Sequence, residues 1–257
     1  MVTQRQIIGS FIRHEYGSGP VDPASLMADW WDVDRSYTGT PAAITGLPSL
    51  GDGGLGLTYA SNGPAATVVT HGTKKFVNLA GGNSNNRFFS DAVAAQIGTG
   101  ASTPWTIALV YRVSSIADTM YPFSLNDGAP ANNNQTLILM NTGQTRLSFR
   151  APSGTLVRPF LAVANVADVT QSLVIRRNAN GTIDAWSDGA HTDVAVPLDV
   201  GILNAMVNFT VGCLRTDANQ YVGEMLGLLG PLGFHPDALP DAACQKVSDY
   251  IKDWGAA

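Results

Sequence analysis

The chain holds two glutamates, Glu15 and Glu224, at opposite ends of 257 residues. A retaining glycosidase needs two carboxyl groups about 5–5.5 Å apart, one to attack the sugar and one to donate a proton. Neither glutamate has an acidic residue two positions away, and no Asp-x-Asp pair falls in a clear strand. Glycoside hydrolysis is therefore not expected. Asp29, Asp32 and Asp34 in the run DWWDVD offer oxygen ligands to calcium. Calcium takes about six to eight oxygens, and this run lacks the glycine and spacing of an EF-hand. Turn and cap roles fit these aspartates better, and the same holds for Asp184 and Asp188 in DAWSDG.

Other motifs weaken on inspection. Gly51, Gly53 and Gly56 spell a dinucleotide fingerprint, which needs a strand before it and a helix after it to present N–H groups to a phosphate. Here LPSL precedes and LTYASNGP follows, so a plain glycine loop is expected. His14, His71, His191 and His235 lack metal-ligand spacing. His235, followed by Pro236, reads as a turn residue. There is no Gly-x-Ser-x-Gly elbow. Asn180-Gly-Thr182 and Asn208-Phe-Thr210 spell glycosylation sequons, which act only on an exported chain. Trp30, Trp31, Trp105, Trp186 and Tyr221 have rings able to stack on sugars, but Trp105 and Trp254 sit in periodic positions that point to a core. No catalytic, cofactor-binding or metal residue is assigned, and no cofactor is expected.

Composition narrows the classes further. Apolar residues make up 45%, enough for a large core, while charged residues make up only 14%, below the usual quarter. Net charge is −5 and pI about 5.2, with four lysines and no basic run. Nucleic acid and anionic membranes both need clustered Lys and Arg, so neither is expected as a partner. The N-terminus has no apolar core with a small-residue cleavage site, so a secretory signal is not expected. No apolar run reaches the length of a membrane helix. Cys213, in an apparent strand, and Cys244 read as small buried hydrophobes rather than a disulfide framework.

The elements that would position any site are mostly strands. Ile7, Ile8, Phe11 and Ile12 form a stripe at helical spacing before a Gly-Ser-Gly-Pro break, either packed on its own domain or serving as a docking arm over residues 1–25. Short strands are expected at Leu55–Tyr59, Thr67–Thr70 and Lys75–Leu79, and a short helix near Asp91–Ile97. WTIALVYRV alternates but is apolar on both faces, as in a strand covered on both sides. SLVIRRNANGTIDAWSDG reads as a hairpin with Asn180-Gly181 at its tip. About ten to twelve short strands point to an antiparallel sandwich over residues 26–257.

The last segment is the most informative: a strand from Glu224 to Phe234, a turn over His235–Leu239, then a helix opened by Pro240 and Asp241. Ala243, Val247, Tyr250, Ile251 and Trp254 fall on one helical face, with Gly255 as the expected stop. With Gly223, Glu224, Leu239, Asp241, Val247, Tyr250, Ile251, Trp254 and Gly255, this ending resembles the close of concanavalin A-like, laminin-G-like jelly-roll domains. NANGTIDAWSDG, PWTIALVYRV and WWDVDRSYTG with GLPSLGDGGLGLTYASNGPAATVV resemble further elements of that family, the last of its phage-borne versions. The resemblance implies an all-β, antiparallel jelly-roll sandwich with a short C-terminal helix and an N-terminal arm. It also implies a non-enzymatic structural component of a phage particle (capsid decoration, head fibre or tail-associated protein), made in the bacterial cytoplasm. Such a component would bind other virion proteins of capsid or tail and form a homo-oligomer. The alternative is a carbohydrate-binding or host-receptor module on the same fold, with a cell-surface glycan as partner.

Overall fold

Strand Trp105–Val113 is covered on both faces, as its sequence demands. Trp105, Ile107, Leu109, Tyr111 and Val113 enter the core between two sheets, while Ala108 and Val110 enter a second apolar layer on the other side. The computed structural model describes residues 21–79, 86–97, 103–117, 119–127, 135–141, 143–150, 156–157, 160–197, 206–215 and 221–257. The docking arm expected over residues 1–25 falls mostly outside them.

The first sheet has eight strands. Its order is Ala190–Pro197, Thr182–Ser187, Gln171–Arg177, Trp105–Val113, Gly227–His235, Lys74–Leu79 and Thr67–His71, with Asp29–Trp31 also paired to Gly227–His235. The second has ten: Leu156–Val157, Gln144–Arg150, Gln135–Asn141, Met120–Asn126, Asn208–Val211, Arg87–Phe89, Leu57–Ala60, Ala43–Leu47 and Thr38–Thr40, with Phe160–Ala164 also paired to Gln144–Arg150. Neighbouring strands among the described residues run antiparallel. The all-β sandwich expected from the sequence is thus observed. Twenty strands among the described residues exceed the expected ten to twelve, because several are two or three residues long and carry too little periodicity to be read.

Proline and glycine placement explains the strand that links the layers. Gly227–His235 pairs along one edge with Trp105–Val113, with a register shift between Leu229 and Leu232. Along its other edge it meets Lys74–Leu79 through Leu229 and Asp29–Trp31 from Leu232 onward. Pro231, which has no N–H to give a ladder, sits in that shift where partners change. A Cβ on Gly230 would lie 2.8 Å from Cζ3 of Trp254, and one on Gly233 2.7 Å from Cε3 of Trp30. The strand's glycines therefore let two tryptophans lie against its backbone.

The C-terminal helix spans Asp241–Ala256. Pro240 is its N-cap rather than its first residue, and its carbonyl accepts from the amides of Ala243 and Cys244. The expected stop at Gly255 is not seen. Gly255 lies inside the last turn, where an added Cβ would come 3.0 Å from Cγ2 of Thr170. Ala243, Cys244, Val247, Ser248, Ile251 and Trp254 are buried against the first sheet, and Tyr250 is half-buried at the margin. Trp254 meets Phe76 edge-on at 4.9 Å between centroids, with the Lys74 ammonium 5.7 Å from its ring. Among the described residues no helix is long and apolar enough to cross a membrane.

Smaller expectations shift at their boundaries. The strands expected at Leu55–Tyr59, Thr67–Thr70 and Lys75–Leu79 run Leu57–Ala60, Thr67–His71 and Lys74–Leu79. The short helix is Asp91–Ala94, capped by Ser90, whose hydroxyl accepts from Val93 N–H. Cys213 lies in a turn after Asn208–Val211 rather than in a strand. Both Cys213 and Cys244 are buried free thiols, pushed by burial up to about 12.

Candidate functional site

Two of the aspartates of DWWDVD serve the backbone, and the third, Asp34, pairs with Lys74 at 3.6 Å. Asp29 accepts from Leu55 N–H at 2.8 Å, and Asp32 accepts from Asp34 N–H at 3.0 Å. Successive residues of a strand face opposite ways. Trp31 accordingly enters the inter-sheet core and Trp30 the helix layer, which sends the carboxylates of Asp29 and Asp32 to different sides. Asp188, at φ 48°, accepts from Ser172 N–H and hydroxyl. Among the described residues no three His, Cys, Asp or Glu side chains gather as metal ligands. The glycine loop holds Asp29 in place: Gly53 N–H donates to Ala28 carbonyl at 2.6 Å, and strand Leu57–Ala60 follows instead of a helix.

The tryptophans considered for sugar stacking are buried. Trp30, Trp31, Trp105 and Trp186 are each at most 1% exposed, so none is a platform. The side chain of Tyr221 lies outside those described. His235 ends strand Gly227–His235, where its Nδ1 accepts from Ala28 N–H at 3.1 Å and burial lowers its pKa, so it is a fixed structural residue. His71 packs edge-on against Phe76, and His14 lies outside the described residues.

Asp184 takes part in a clamp on the C-terminal helix. Arg176, on the neighbouring strand Gln171–Arg177, donates to Asp184, to Asp241 in the helix's first turn and to the Leu239 carbonyl. Its guanidinium lies 5.3 Å from the Trp186 ring, on which His191 stacks at 4.1 Å. Burial pulls the Arg176 pKa down, but Asp184 and Asp241 carry it above its ordinary value. For Asp184 burial pushes upward, and the Asn178 amide, Ala195 N–H and Arg176 overcome it to leave the carboxyl below its usual range. The role is structural. The adjacent arginines of VIRRN signal polar work on both faces of that strand.

A different surface has the character of a binding face. Directly opposed residues on neighbouring strands share a face. Register aligns Ser124 with Thr210, Thr210 with Phe89, and Phe89 with Thr58, in one row across the outer side of the ten-stranded sheet. Asn126 and Asn208 lie one step along, joined amide to amide at 2.7 Å. The Ser124 hydroxyl donates to the Thr210 hydroxyl, which donates in turn to the Cys213 carbonyl at 2.9 Å. The turn at Gly212, with φ 98°, therefore crosses that part of the face and buries it.

Beyond the crossing, the row is open. Phe89 and Arg87 are half-buried and Thr58 is exposed, with the guanidinium 6.0 Å from the Phe89 ring centroid. Tyr59, opposite the inward Phe88, lies on the other side of the strand, where its hydroxyl and that of Ser61 converge on the Asn86 side-chain oxygen at 2.9 and 2.5 Å. PFSLN and NFTV already alternate Phe, Leu and Val with Ser, Asn and Thr, so period-two counting locates the polar face in sequence.

No family model matches the chain, and no curated protein matches it. Among solved structures, domain 4 of AbnA, a GH43 extracellular arabinanase from Geobacillus stearothermophilus in complex with arabinotriose, superposes with TM-score 0.60 at 14% identity over 86% of this chain and 98% of that one. The binding domain of botulinum neurotoxin serotype G gives 0.59 at 10% identity over 89% and 51%. A mutant NanB sialidase from Streptococcus pneumoniae gives 0.50 at 14% identity over 63% of this chain, which spans only 26% of the sialidase. At these identities the likeness is one of fold, an antiparallel β-sandwich.

Proposed function

We propose that residues 26–257 form a carbohydrate-binding module that does not cleave its ligand. The observation that carries this reading is the match across nearly the whole of a sandwich domain crystallised with arabinotriose. The open end of the ten-stranded sheet supports it. Phe89 offers an aromatic surface for the C–H face of a sugar ring, while Arg87 and Thr58 offer hydrogen bonds to its hydroxyls. Buried Ser124, Thr210, Asn126 and Asn208 fix the strands beneath.

The ligand class is a cell-surface or cell-wall polysaccharide, with arabino-oligosaccharides as the first probe. Calorimetry with arabinotriose and an array of bacterial and plant glycans should show binding by the intact chain and its loss in Phe89→Ala at unchanged melting temperature. A chain that binds no glycan on the array refutes the reading. A place in a phage particle, with virion proteins as partners and residues 1–25 as the docking arm, is supported by the sequence resemblance alone. Its test is whether a chain lacking residues 1–20 still enters particles.

A further inference from the structure

We propose that the hairpin tip Asn180–Gly181 is a self-modification site, at which the Asn180 side-chain amide is lost with Thr182 as activating group. Residues Asn178–Thr182 close the hairpin between strands Gln171–Arg177 and Thr182–Ser187. Asn178 N–H donates to Thr182 carbonyl at 2.8 Å, and Gly181 N–H to Asn178 carbonyl at 3.0 Å. Gly181 has φ 80° while Asn180 stays out of the left-handed region, so the tip is a turn with a glycine bulge, not the two-residue mirror turn the Asn-Gly pair first suggests.

The Asn180 oxygen is doubly held. Thr182 N–H donates to it at 3.0 Å and the Thr182 hydroxyl at 2.8 Å, which also assigns that atom as the acceptor. The Asn178 amide in turn donates to the Thr182 hydroxyl at 2.9 Å and to the buried carboxylate of Asp184 at 2.7 Å. Chains of hydrogen bonds polarise one another. Two donors on one carbonyl oxygen draw electrons from its carbon, the same device as an oxyanion hole. The ring closed by the Thr182 N–H contact brackets the Gly181 nitrogen, a glycine nitrogen with no side chain beside it. Asn180 is exposed, so hydroxide reaches the site.

The step balances without further reagents. The turn first opens the Gly181 N–H bond to the Asn178 carbonyl; hydroxide then takes that proton, and the nitrogen bonds to Asn180 Cγ. The Cγ–NH2 bond breaks, and the leaving amide takes a proton from water and departs as ammonia, giving a cyclic imide. Water then opens the ring at either carbonyl, leaving an ordinary aspartate at position 180 or its β-linked isomer. Either product adds negative charge three hydrogen bonds from Asp184, and the β-linked isomer also lengthens the backbone through the turn.

The test is incubation of the intact chain at about pH 8 and about 37 °C, with peptide mass mapping and isoaspartate detection at position 180. Conversion at Asn180 is expected, several-fold slower in Thr182→Val and restored in Thr182→Ser, with native melting of each variant checked beforehand. An Asn180 that stays intact, or equal rates in all three proteins, overturns the proposal.

Discussion

The outer faces of the two sheets are built on opposite plans. The eight-stranded sheet turns Trp30, Phe76, Val110, Val174 and Trp186 outward and covers them with a helix, so that face is a second core. The ten-stranded sheet turns out Ser124, Thr210, Asn126 and Asn208, crosses them with one short turn, and leaves Phe89, Arg87 and Thr58 accessible. Apolar burial makes the first face contribute stability, at roughly 25 cal/mol per Å² of apolar area. The second face spends its polar groups on one another and leaves an edge uncovered. On the proposed function, stability and recognition lie on opposite sides of the molecule, and variants on each side should affect different measurements.

Trp254→Ala carries the largest expected effect. The side chain is 4% exposed and fills the space left by Gly230 against Phe76. Removing a buried aromatic costs about 3–5 kcal/mol. Chemical denaturation should register that loss, while glycan affinity below the melting transition stays unchanged. Unaltered stability would mean that the helix is not part of the core.

Arg176→Met should follow, at about 3 kcal/mol, because it leaves the Asp184 carboxylate buried without its cation. The second ion pair, to Asp241, contributes little to this cost because that aspartate's side chain is 74% exposed. Asp184→Asn in the same background should recover part of the loss. A double variant no better than Arg176→Met alone would locate the cost in packing against Trp186 instead.

The same layer predicts opposed responses to pH. Burial pushes Asp32 up to about 6, aided by the charge of Asp34 and opposed by the Asp34 N–H, Arg35 and Lys74; Tyr250 faces it from the helix. A folded pKa above the unfolded one gives stability that is complete below about pH 4 and lost as pH rises through about 6, by about 2–3 kcal/mol. Asp184, held below its usual range, gives the reverse: stability present above the unfolded pKa and lost as pH falls through the folded one. Between these two groups stability should therefore peak near about pH 4. Asp32→Asn should flatten the alkaline side only, and an unchanged profile in that variant would remove Asp32 from the account.

How much of this was legible depends on period. The C-terminal helix and strand Trp105–Val113 announce themselves because their apolar residues repeat over nine residues or more. Three-residue strands such as Asp29–Trp31 and Thr38–Thr40 carry no repeat, and their pairing is set by partners outside their own few residues. The tryptophans of DWWDVD looked like sugar platforms because single residues do not reveal what covers them. Glycines at 230 and 233, distant in sequence, are what let the helix layer close over Trp30. Phe89 is hidden in sequence for the converse reason: RFFS gives two adjacent phenylalanines, and only the register with Thr210 and Thr58 turns Phe88 inward and Phe89 outward.

That inversion supplies the smallest change in stability and the sharpest contrast. Phe88 is fully buried, meets the Tyr59 ring at 5.3 Å and belongs to the inter-sheet core, so Phe88→Ala should unfold much as Trp254→Ala does. Phe89→Ala removes a half-buried ring that lies beside the Arg87 guanidinium, and should cost about 1 kcal/mol or less. Its effect belongs in binding, as a roughly tenfold or greater rise in Kd for a glycan the intact chain retains, equivalent to at least about 1.4 kcal/mol. Two adjacent residues would then separate cleanly into one that holds the sandwich and one that meets the sugar. Equal losses of stability at both positions would mean that the open row is core after all, and the ligand face would have to be sought elsewhere on the sandwich.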